Sequence, residues 1–121
     1  MALIAVEDEL INILSTFKVP VIRQGSLAPD APYPDLFFTF WCNGETEHSA
    51  YNDETIIAEY NYDVNVYGIS PTDVYDTLTQ ARNALKGAGW IILTRAFDQP
   101  SDEITHIGRG MNIAKIRNEE E

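Results

Sequence analysis

Cys42 and His48 lie six positions apart, and a thiol beside an imidazole is the smallest set in this chain that could act as a nucleophile with its base. The simpler reading is stronger. Cys42 follows Phe40 and Trp41 in an apolar run, where a free cysteine is commonly a buried, inert small hydrophobe. Nearby, Glu45, Glu47, His48, Asp53 and Glu54 gather the oxygen ligands that a hard divalent cation takes at irregular spacing. They match no established ligand pattern, and a solvated loop is expected. There is no phosphate-binding glycine loop, GxSxG elbow or HExxH helix, and the "GRG" at 108–110 lacks the spacing and the following helix that would cradle phosphate. No catalytic residue, cofactor or metal site is expected, and the chain is not expected to be an enzyme.

Charge offers better candidates. In "EYNYDVNVYG", 59–68, Tyr60, Tyr62, Val64 and Val66 share one parity, and Glu59, Asn61, Asp63 and Asn65 the other. The first row is core. The second reads as a water-facing sheet surface that would tolerate reversal of Glu59 and Asp63 to lysine, or as a face that lines something. Asp98, Asp102 and Glu103 cluster at a hairpin tip, either as a contact surface or as a solvated turn. Arg95 and Arg109 should lie near one another on paired strands and make ion pairs, within the chain or across an interface. His106 reads as a surface or edge histidine.

Composition narrows the function. The 121 residues fit one domain with 116–121 as a frayed acidic tail, and 45% hydrophobic content is that of a packed globule. One cysteine rules out an intrachain disulfide. The first 17 residues carry Glu7, Asp8 and Glu9 and no basic stretch, so neither a signal peptide nor a membrane span is expected. Eight Lys plus Arg against 19 Asp plus Glu, a net charge of -11, argues against nucleic-acid or anionic-membrane binding. The excess serves solubility, a basic partner, or the repulsion of nucleic acid.

The elements follow from periodicity. Leu3, Val6, Leu10, Ile13, Leu14 and Phe17 make one stripe of an amphipathic helix over 2–17, ended by Pro20. "VPVIRQ" is a short strand, and Pro29, Pro32 and Pro34 stiffen the loop after it. "LFFTFWCN", 36–43, is apolar on both faces and reads as a central strand, followed by a polar turn-forming connection into a strand over 56–67. Ser70, Pro71 and Asp73 start a helix over 71–86 whose buried stripe is Val74, Leu78, Ala81 and Leu85, with Gly87 or Gly89 as its left-handed cap. Strands 90–97 and 104–116 form a hairpin, with Gly108 and Gly110 read as a bulge or bend. The order predicts an α+β fold: an antiparallel or mixed sheet of four to five strands with two helices packed on one face.

The segment "YDVNVYGISPTDVYDTLTQARNALKGAGW" followed by "TRAFDQPSDEITHIGRGMNIAKI" resembles the tail terminator and tail completion proteins of long-tailed bacteriophages and prophages. The features that carry it are Tyr62, Val64, Val66, Tyr67, Ser70, Pro71, Gly87, Gly89, Trp90, Asp98, Glu103, Arg109, Met111 and Ile113. The resemblance implies a structural virion subunit in a hexameric homo-oligomeric ring, with the tail tube protein and head-tail connector proteins as partners. DNA would pass through its lumen without being bound. Such a chain would be found in the host cytoplasm during assembly and in the virion afterwards. Other neck or minor capsid components, and an acidic module that mimics nucleic acid, are the alternatives.

Overall fold

Leucine or valine every fourth residue decides the first helix. The computed structural model describes residues 2–26, 32–49 and 56–118, with the side chains of 2, 3, 48, 49 and 56 outside what is described. Helix α1 spans Ala2–Ser15 and buries Val6, Leu10 and Leu14 completely or nearly so. It stops two residues earlier than the stripe predicts, because tight turns close on Ile13, Leu14 and Ser15 and Lys18 takes a left-handed φ of 62° before Val19 and Pro20. Helix α2, Pro71–Gly87, begins as expected: the Ser70 hydroxyl accepts the Asp73 amide at 3.4 Å and Pro71 occupies the first turn. Val74, Leu78, Ala81 and Leu85 are its buried stripe, and Gly89 supplies the positive φ of 96° after its end.

Five strands form one mixed sheet in the order β1-β2-β3-β5-β4. These are β1 Val21–Arg23, β2 Leu36–Ser49, β3 Ile56–Gly68, β4 Ile91–Gln99 and β5 Ile107–Asn118. Among the described residues only β1 and β2 run parallel. Both helices pack on the face carrying Tyr60, Tyr62, Val64 and Val66, where they meet Phe38, Phe40, Met111 and Ile113 in one cluster. Each fully buried aliphatic side chain there contributes ~1.5–3 kcal/mol over leaving it in water. The fold is thus α+β, as predicted.

Several boundaries differ for physical reasons. Strand β2 lies beside the centre rather than at it, and continues to Ser49 through the stretch read as a connection, because β3 supplies a ladder from Ile56 onward. Its Asn43 and Gly44 mark a register shift, not a turn. Asp98 and Gln99 belong to β4, and β5 begins at Ile107 instead of 104. Ile116, Arg117 and Asn118 are not frayed, since they pair with Glu59, Ala58 and Ile57; residues 119–121 lie outside the described residues. Gly108 and Gly110 make no bulge. The β3–β5 register runs through both without a break, and the irregularities fall on β4 between Ile92 and Phe97.

Candidate functional site

Successive residues of a strand point to opposite faces, so register decides which side chains share a surface. Opposite the helix face, Glu59, Asn61, Asp63, Asn65 and Tyr67 of β3 join their partners Trp41, Thr39 and Phe37 on β2 and Asn112, Gly110 and Gly108 on β5. Among the described residues no helix or second sheet covers this face.

It is not the uniform water-facing row that alternation alone predicts. At one end aromatic rings roof it: Phe37 and Tyr67 stack at 5.5 Å, and Tyr33 stands edge-on to Phe37 at 5.5 Å and to His106 at 5.2 Å. His106, expected at the surface, is 7% exposed. Its Nε2 lies 2.8 Å from the Pro34 carbonyl, which can only accept, so Nε2 carries the proton. In the neutral ring Nδ1 then accepts from the Thr105 hydroxyl at 2.9 Å. This ties the proline-rich segment to the β4–β5 turn. Asn65 is 2% exposed, donating to Thr39 Oγ1 at 3.3 Å while its Oδ1 is enclosed without a partner among the described residues.

In the middle of the face, Asp63 accepts three side-chain hydrogen bonds, from Trp41 Nε1 at 2.5 Å, Asn43 Nδ2 at 2.8 Å and Asn112 Nδ2. Its carboxylate is held by three neighbouring donors. Glu59, half-buried, sits between Thr46 and Ile116 in register.

Large apolar side chains stand exposed from the middle of the face to its far end. Trp41, in the row of Asp63, and Ile116, in the row of Glu59, are each 48% exposed and share their parity with Ile57 and Ile91, and Leu93 on the irregular part of β4 is 54% exposed. Single exposed apolar residues are ordinary, but several large ones on one uncovered sheet mark an interaction surface.

The helix side carries the cations. Arg109 pairs with Asp98 at 2.6 Å and lies 5.1 Å from the Tyr75 ring. Arg95 and Arg109, expected near one another, line a groove of about 380 Å³ to which α2 adds Tyr75 and Arg82. Arg82 donates to the Arg95 carbonyl at 3.4 Å; partial burial, then the neighbouring Arg95 charge, lowers its pKa. Arg82 was missed, although Tyr75, Leu78 and Arg82 follow the spacing that turns α2 toward the strands.

The acidic tip divides. Asp98 is held by Arg109, whereas Asp102 and Glu103 border a separate cavity of about 520 Å³ on the open face, floored by Phe37 and Tyr67. Arg23 beside it is tied to Glu7, and burial raises the Tyr67 hydroxyl. Neither a thiol nor an imidazole lines it.

Cys42 and His48 do not come together. Cys42 pairs with Tyr62 and His48 with Ile57, five positions along β3, which is roughly 16 Å. Asp53 and Glu54 lie outside the described residues, and no group of three ligating side chains occurs among those described. Burial pushes the Cys42 thiol up, and its Sγ lies 3.6 Å from the Gly44 carbonyl. Native protein is therefore expected to react with iodoacetamide at pH 7.5 at least about tenfold more slowly than the unfolded chain, by mass spectrometry. Equal rates would mean the thiol is free.

No helix of the described residues is long and apolar enough to cross a membrane. Comparison with protein-family models and with curated protein sequences finds no match to this chain.

Proposed function

We propose that the chain is a structural subunit of the tail-terminator kind, forming a hexameric ring that caps a phage tail tube and joins it to the head. The observation that carries the reading is the uncovered sheet face on which Trp41, Ile57, Ile91, Leu93 and Ile116 are exposed. A two-layer fold that leaves one sheet face uncovered, with several large apolar side chains exposed among polar ones, is suited to seating on another protein, here the end of the tail tube. The acid excess fits a lumen through which DNA passes unbound, because like charge keeps phosphates from adhering. Asp63 belongs to that charge, since its three donors, Trp41, Asn43 and Asn112, are neutral and fix the carboxylate without cancelling it. The resemblance over 62–116 supplies the same reading, with assembly in the host cytoplasm and residence in the virion.

The test is complementation of a phage lacking this protein. The doubly substituted Ile91→Ser, Ile116→Ser chain is expected to leave tails of unregulated length in negative-stain images, where the unaltered chain restores a single length. Uniform tails with the substituted chain would overturn the assignment of this face.

A further inference from the structure

Three of the eight basic residues of this acidic chain converge on the groove between α2 and the β4–β5 hairpin. Arg109 has a carboxylate there, Asp98. Arg82 and Arg95 stand side by side, and no carboxylate of the described residues pairs with either. Adjacent guanidinium groups repel, and an incoming carboxylate would relieve them with charge-assisted, bidentate hydrogen bonds. Tyr75 and Ala96 give the groove an apolar wall.

The complementary charge lies on the same sheet face at its other end. Glu45 and Glu47 of β2 oppose Tyr60 and Ala58, so they share the parity of the helix side, yet they are exposed and beyond the helices' cover. Neither has an ion pair or hydrogen bond among the described residues. Two residues apart on one face, their Cα atoms are about 7 Å from each other, a spacing that two neighbouring arginines can match. Val66 opposes Arg109 and Ala58 opposes Glu47, a separation of eight positions along β3. That is on the order of 25 Å, beyond the reach of side chains within one molecule.

We propose that the groove of Tyr75, Arg82, Arg95 and Arg109 takes the Glu45–Glu47 segment of a second copy of this chain. The inference rests on the ring reading above and adds which surfaces meet within the ring. A donor patch at one end and an acceptor patch at the other give a head-to-tail contact, the kind that closes into rings when the rotation permits. A polyanion is the other occupant three arginines could take, and the variants below separate it from a second copy.

Two variants test it, R82E/R95E and E45K/E47K, followed by native mass spectrometry and sedimentation, with and without purified tail tubes. Each alone is expected to associate at least about tenfold more weakly than the unaltered chain while keeping its circular dichroism spectrum and, at concentrations where both are monomeric, its melting temperature. Their equimolar mixture is expected to reassemble, since the intact arm of one meets the intact groove of the other and the two reversed surfaces also attract. Rings that persist in both variants would overturn this pairing and leave the ring reading standing. A mixture that stays dissociated would overturn the pairing too. An unaltered chain that stays monomeric on tubes and off them would sink both. If R82E/R95E keeps its rings but loses binding to a DNA oligonucleotide, the groove is a nucleic-acid contact and the proposal is wrong.

Discussion

Alanine in place of Gly108 is expected to destabilise the fold by about 3 kcal/mol, read as a fall of roughly 10 °C in melting temperature. A Cβ there would lie 2.5 Å from Tyr67 Cε1 and 2.6 Å from the backbone oxygen of Gln99. Neither can yield cheaply. The Tyr67 ring is stacked on Phe37, and Gln99 is fixed opposite Gly108 in the β4–β5 ladder. Gly110 repeats the arrangement one row on, with Asn65 Oδ1 and the Phe97 ring over it. Two glycines on β5 thus make room for two aromatic rings that pack close over the strand, as aromatic residues do over glycines in sheets. Gly87→Ala is the control: nothing lies within 4 Å of its added Cβ, so it should melt within a few degrees of the unaltered chain. Equal melting of the two variants would show that the roof gives way.

Asp63→Lys is expected to cost about 2–4 kcal/mol in chemical denaturation, with Asp63→Asn costing less because one acceptor oxygen remains. The lysine would leave Trp41 Nε1, Asn43 Nδ2 and Asn112 Nδ2 without their acceptor and bring a cation among three donors. Strand alternation alone predicts the opposite, that reversing this acid leaves the fold intact. An unchanged denaturation midpoint for Asp63→Lys would restore that simpler picture. A fold defect at unchanged slope places Asp63 among the structural supports of the open face.

The difference between these two expectations locates what could be read from the residues. Helix α2 was legible to within a residue, since its cap, proline and buried stripe are all local chemistry. The core row of β3 was legible for the same reason, because period two states which side chains point together. What lies over the opposite row is a matter of register with strands far away in the chain. Phe97 reaches Asn65 through Gly110, and Pro34 reaches His106 across 72 positions. No local pattern carries that information. The same limit explains the strand extension in β2: Gly44 and Asn43 are turn-forming types, and only the partner strand decides that they mark a shift in register. Arg95 and Arg109 could be placed near each other from the hairpin alone, whereas adding Arg82 required the packing of α2 on that hairpin.

The irregular strands at the rim bear on something else, the risk of runaway stacking. An open apolar face invites partners, and a sheet whose rim offered a long regular row of amide and carbonyl groups would also recruit strands of its own kind without limit. Here β1 is three residues long, β4 changes register twice, and the stretch of β2 beyond β1 is broken at Asn43 and Gly44 and then carries Glu45 and Glu47. Fibre-like growth by backbone pairing is thereby discouraged at the rim, so concentrated solutions of this chain should remain clear while its faces stay free to find their proper counterparts.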